Sequence, residues 1–150
     1  MSDPFQNLVG PGKALKLEPP VANEVQGLLE VGAAKLEDAR NTALSIQGRF
    51  DLAYGAAHAL SLAALRRLGY RPSNRYIVFQ LLPHTLGLPA SVWRFLVMCH
   101  NKRNLCDYEG VMEINDRLLF DLIAAAQAIE SALSELDLSE TPAKTSPPSP

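Results

Sequence analysis

The sequence predicts an all-α protein, an antiparallel four-helix bundle with one short additional helix. Three observations carry this. Apolar residues recur at three and four over four long segments. No segment alternates apolar and polar residues as a half-buried strand does. The connections between the periodic segments are short, which makes neighbouring helices antiparallel. The chain has 150 residues, 47% hydrophobic and 20% charged, a size and composition suited to one domain with a real core.

Eight of the 11 prolines fall in residues 1–20 and 142–150. Residues 1–22 therefore read as an N-terminal arm and 138–150 as a disordered Pro/Ser-rich tail, with the helical domain spanning 23–137. The first helix, 23–43, places Val25, Leu28, Leu29, Gly32, Leu36, Ala39 and Ala43 on one stripe. Asn23 followed by Gln26 fits a capping box. The second, 46–68, carries Phe50, Ala53, Tyr54, Ala57, Leu60, Ala64 and Leu68, with Ser45 as cap and Gly69 as stop. Its alanines permit close helix approach, and Arg66 and Arg67 suit the negative end of its dipole.

The segment 75–86 contains Pro83, so it is a kinked helix or two short ones. A fourth helix runs from Pro89–Ser91 to Tyr108, ended by Gly110. The fifth periodic segment, 115–136, carries Leu118, Leu119, Leu122, Ile123, Ala126, Ile129, Leu133 and Leu136, with Asn115 as cap.

The net charge of -2 conceals an asymmetry. From Leu52 to Cys106 there are seven basic residues (Arg66, Arg67, Arg71, Arg75, Arg94, Lys102 and Arg103) and no acidic one. Such a stretch suits a polyanion. Acidic and basic helices pairing with each other explain it equally well. Cys99 and Cys106 lie two turns apart on one helix, too far for a disulfide, which predicts a reduced, cytoplasmic setting. No run is long and apolar enough for a membrane span, and no signal peptide opens the chain.

The histidines His58, His84 and His100 lack zinc spacing, and the cysteines are not a CxxC pair, so no metal and no cofactor is expected. The cluster His100-Asn101-Lys102-Arg103-Asn104-Leu105-Cys106-Asp107-Tyr108 supplies a cation for a phosphate, amide and phenol donors, and an imidazole. An ion pair between Arg103 and Asp107 is the plainer use of the same residues. Asp51, Tyr54 and His58 share a face of the second helix; if that face meets the fourth helix, Asp51 can orient Arg103 or Arg49, whereas the plainer uses are helix N-terminal electrostatics for Asp51 and a hydrogen-bonded bundle histidine for His58. Arginines and tyrosines interleave over Arg66–Arg71 and Arg75–Tyr76, the residue types that phosphate contact with base stacking would use; a solvated connector explains them equally well.

The runs Gly48–Leu60, Ala64–Arg71 and, above all, Lys102-Arg103-Asn104-Leu105-Cys106-Asp107-Tyr108 resemble the HEPN superfamily of small helical domains over residues 24–136. That resemblance implies a metal-independent RNase motif of Arg, a polar residue and a later His, completed by dimerisation. Arg103 matches the Arg and Asn104 the polar residue. Tyr108 stands where the His is expected, and a phenol with a pKa of about 10 shuttles protons poorly near neutrality. The resemblance therefore implies an RNA- or nucleotide-binding homodimer, a toxin–antitoxin or defence-module component with impaired or absent cleavage. One alternative is an active RNase using Arg103 with Tyr108 or His100. Another is a structural partner of a nucleotidyltransferase. The candidate catalytic residues are Arg103, Asn104, Tyr108 and His100. The candidate RNA-binding residues are Arg49, Asp51, Arg66, Arg67, Arg71, Arg75 and Lys102.

Overall fold

The computed structural model describes residues 5–110 and 114–139, the side chains of 106–109 and 137–139 excepted. The fold is mostly helical. Its elements in chain order are β1 (Leu15–Leu17), α1 (Ala22–Ala39), α2 (Ile46–Arg66), β2 (Tyr70–Pro72), α3 (Arg75–Gln80), α4 (Leu82–Thr85), α5 (Ala90–Glu109) and α6 (Asp116–Ser139).

Helix α2 is the hub. It touches every other helix and β2, and Phe50, Ala53, Ala56, Ala57, Ala63, Ala64 and Leu65 on it are wholly buried. Small residues around the helix are what let several partners close on it at once. At Gly32 of α1 a Cβ would stand 2.6 Å from Leu60 of α2, so the two helices meet through a bare backbone. Leu36 and Ala39 on α1, Leu96 and Cys99 on α5, and Leu119, Leu122, Ala126, Ile129 and Leu133 on α6 complete the core.

The expected caps form at Ser45, whose hydroxyl accepts from Gly48 N–H at 3.0 Å, and at Asn115, whose side chain accepts from Leu118 N–H at 2.8 Å. The one at Asn23 does not: α1 already begins at Ala22, behind an uncapped Val21. Helix α1 also ends at Ala39, four residues short of the expected Ala43. There the Asn41 side chain accepts from Ala43 N–H, a local bond that competes with the helix. Arg49 Nε meanwhile donates to the terminal Ala39 carbonyl at 2.7 Å. Pro83 divides the third segment into α3 and α4.

Two short strands depart from the expectation of helix alone. Strand β1 pairs antiparallel with β2, Lys16 opposite Arg71, and Gly69, at φ +92°, turns the chain from α2 into β2. The N-terminal segment is packed, not free of the domain: Leu15 is buried, and Phe5 is buried and stacks on Tyr70 at 4.7 Å. Among the described residues, no helix is long and apolar enough to cross a membrane.

Candidate anion-binding site

Tyr54 on α2, Arg75 and Tyr76 on α3, and His100, Arg103 and Asn104 on α5 converge on one face. The centre is a buried pair: Tyr54 Oη lies 2.7 Å from His100 Nδ1. On the other side of that ring, Asn104 Nδ2 lies 3.2 Å from Nε2. An amide NH2 makes Nε2 the acceptor, so the neutral imidazole carries its proton on Nδ1 and donates it to the tyrosine oxygen. Tyr76 packs against His100 at 4.6 Å and donates its hydroxyl to Asn101 Oδ1 at 3.2 Å.

Arg103 sits above this pair. Its guanidinium carbon is 5.2 Å from the centroid of the Tyr54 ring, a cation–π geometry, and Nε is 4.0 Å from Asp51 Oδ1. Gln47 Nε2 donates to the same Asp51 oxygen at 3.3 Å. Among the described residues, Asp51 is the carboxylate that pairs with Arg103, and none pairs with the exposed Arg75.

The electrostatics follow from burial beside cations. Burial, then Arg103 and Arg75, hold His100 below its ordinary range. Burial pushes His58, one turn beyond Tyr54, down to about 4, with Arg75, His100, Lys35 and Arg103 adding to it. Burial raises the Tyr54 hydroxyl, against the pull of Arg75 and Arg103. Both imidazoles are therefore neutral at pH 7, in a setting that is positive overall. Two arginines with amide donors beside them have the charge and the hydrogen-bond donors that suit an anion.

Comparisons with known proteins returned no match among family models, curated proteins or solved structures. The reading of this face rests on its own geometry.

The structure gathers Arg103, Asn104, His100, Asp51 and Arg75 from the residues singled out in the sequence. The side chain of Tyr108 lies outside the described residues, as does that of Asp107. Two other candidates are engaged elsewhere and are corrected here. Arg66 is fully buried. Its guanidinium donates to Glu24 Oε1 at 2.9 Å and to the carbonyls of Glu18, Pro19 and Tyr70 at 2.8, 2.9 and 3.3 Å. Arg71 pairs with Glu18 at 2.6 Å and Glu24 at 2.9 Å. For these two, the basic stretch is balanced inside the chain by acids of the N-terminal segment and α1.

Arg49 is engaged at the C-terminus of α1, where it donates to the Ala39 carbonyl. Lys102 faces the Cys99 side of α5, where it opposes the upward push of burial on that thiol; burial nonetheless carries Cys99 to about 12. Arg67 is half-buried at the end of α2. Lys35 on α1, one of the cations that act on His58, was not singled out in the sequence reading. The signal for it was Gly55, a mid-helix glycine over which the lysine lies. Among the described residues, no group of three His, Cys, Asp or Glu side chains is placed to hold a metal.

Proposed function

We propose that the Arg103 face binds single-stranded RNA or a nucleotide through phosphate, on a HEPN-like antiparallel four-helix bundle. One observation carries the reading: Arg75 and Arg103, from different helices, flank the buried Tyr54–His100 pair with Asp51 as their one described carboxylate. An arginine offers a planar fork of donors to phosphate oxygens, and Asn104 adds an amide. The family resemblance fits this placement, since its Arg103 and Asn104 stand at the same site. It also motivates a place in a toxin–antitoxin or defence module.

Efficient cleavage is not part of this reading. Both His100 nitrogens are occupied, and its charged form is disfavoured, so it is a poor proton donor to a leaving group. The neutral ring does favour a second reading, a metal-independent RNase with His100 as base. Cleavage in EDTA that disappears in both His100→Ala and Arg103→Ala supports that alternative.

The test of the first reading is binding of a fluorescent single-stranded RNA at low salt. Affinity that weakens steeply with added salt is expected; absence of affinity at low salt overturns it. We further propose a homodimer that brings two Arg103 side chains to a shared cleft, which unites two such faces. Light scattering at micromolar concentration tests this part, and a monomer there rejects it.

A further inference from the structure

A cavity of about 500 Å³ is lined by the β1–β2 ribbon and by the loop that precedes β1. The sequence Gly10-Pro11-Gly12-Lys13 makes that loop. Lys13 N–H donates to the Gly10 carbonyl at 3.0 Å, with Pro11 and then Gly12, at φ +74°, between them. Proline second and a positive-φ glycine third are what a type II turn favours. Gly10 N–H donates to the Leu15 carbonyl at 3.0 Å, which folds the loop back on β1. The Lys13 stem lies over Gly10, where a Cβ would stand 3.5 Å from its Cδ. The turn thus sets Lys13 at the cavity.

Val9, the buried Leu15 and Pro72 give the cavity an apolar wall, and Leu17, 68% exposed, extends it to solvent. Lys13, Lys16, Arg71 and Ser73 give it donors. Lys16 stands directly opposite Arg71 across the ribbon, and like charges so placed repel. Glu18 offsets this in part, at 2.6 Å from Arg71 and 3.9 Å from Lys16, but it also lies 3.6 Å from Arg66. Glu24 is 2.9 Å from both Arg66 and Arg71. The two acids are therefore held by the two arginines. Lys13 pairs with no carboxylate among the described residues. The surplus of positive charge falls on Lys13 and Lys16, and both line the cavity. Arg71 meets the acids through Nε and Nη2, so Nη1 stays outside those bonds.

We propose that this cavity binds a phosphate monoester that carries a compact apolar group. At pH 7 a monoester brings between one and two negative charges and three acceptor oxygens. Two uncompensated ammoniums, Arg71 Nη1 and the Ser73 hydroxyl match it in charge and in donors. A carboxylate or a phosphodiester brings a single charge and leaves one lysine unanswered. The apolar group covers Leu17 and takes its surface out of water. Cavities of roughly 300–1,000 Å³ with apolar walls and a few placed polar groups are the usual hosts of small molecules. No residue of the Arg103 face lines this one, so the proposal stands apart from the function proposed above.

The test titrates the full chain with naphthyl phosphate, followed by calorimetry and amide NMR. Inorganic phosphate supplies the head alone, naphthol the ring alone, and naphthoate a singly charged head on the same ring. Naphthyl phosphate is expected to bind once per chain, about tenfold or more tighter than the other three. It should move the amide resonances of Gly12, Lys13, Leu17 and Ser73. Lys13→Met and Lys16→Met should each weaken it about tenfold; both side chains are exposed, so the fold is kept. Leu17→Ser should weaken naphthyl phosphate and leave inorganic phosphate as it was. Arg103→Ala should leave both unchanged. Resonance shifts confined to the Arg103 face overturn the proposal, as does an affinity that survives both lysine variants. Naphthoate binding as tightly as naphthyl phosphate overturns the phosphate head. Inorganic phosphate binding as tightly overturns the apolar half of the site.

Discussion

Tyr54 Oη and His100 Nδ1 stand 2.7 Å apart in a buried setting between α2 and α5. Tyr54→Phe keeps the ring on Phe79 and removes only the hydroxyl. It leaves the His100 N–H without its acceptor, at a cost of about 1–3 kcal/mol. Urea denaturation should show a lower midpoint with an unchanged m-value. An unaltered midpoint would mean that water replaces the hydroxyl and that the pair is not closed to solvent.

Two glycines on α1 should respond in opposite senses to alanine. At Gly32 the new Cβ meets Leu60 at 2.6 Å, whereas at Gly27 it meets nothing within 4 Å. Gly32→Ala forces the α1–α2 contact apart and should destabilise by about 1–3 kcal/mol, despite the better helix propensity. Gly27→Ala should stabilise by up to about 1 kcal/mol. Adding Leu60→Ala to Gly32→Ala should recover part of the clash penalty, a coupling that a double-mutant cycle measures. Additive losses in that cycle would place the strain elsewhere.

The helices were legible because their signals are local. Ser45 and Asn115 act within three residues, Pro83 breaks the chain where it stands, and Gly69 takes the positive φ its position implies. The ribbon was not legible. Three residues per strand give no measurable period, and Lys16 finds Arg71 across 55 positions. Arg66 illustrates the same limit at the level of charge. From sequence it is a cation at a helix end; its partners Glu18 and Glu24 lie more than 40 residues upstream. In the site, Asp51 and Arg103 were foreseeable as partners from helical faces, whereas Lys35 meets Gly55 only through the tertiary approach of α1 to α2.

Stability should fall in two steps on acidification. His58 ionises near 6.5 when unfolded and at about 4 in the fold. Between these values the unfolded chain binds more protons, so stability is full above pH 6.5 and declines toward pH 4. The limiting slope for one group is about 1.4 kcal/mol per pH unit. The Arg71 and Arg66 guanidiniums hold Glu18 and Glu24 below their ordinary value of 4.5. Their contribution is full above that value and is lost as pH falls through the folded pKa. Thermal melts from pH 7.5 to 3 should show both steps. His58→Gln should flatten the upper one, and Glu18→Gln with Glu24→Gln the lower. A wild-type melting temperature constant from pH 7 to 5 would contradict the burial of a neutral His58.

The salt dependence of RNA binding separates arginines that meet phosphate from those that hold the fold. For single strands, the logarithm of the binding constant falls with the logarithm of salt by about 0.7 for each phosphate neutralised. Arg75 and Arg103 flank the Tyr54–His100 pair with little compensating charge, so Arg75→Ala and Arg103→Ala should each reduce the slope by roughly that amount. Arg66 is the control. It has no exposed surface, and Glu18, Glu24 and three backbone carbonyls surround its guanidinium. Arg66→Met should leave the slope unchanged while destabilising the protein by about 3 kcal/mol, because two carboxylates and their carbonyl neighbours lose a buried cation. A slope reduced by Arg66→Met at a salt and temperature where the variant is still folded would mean that the N-terminal segment, not the Arg103 face, meets the nucleic acid. Equal slopes in wild type and Arg103→Ala would remove Arg103 from the phosphate contacts, whatever the absolute affinity.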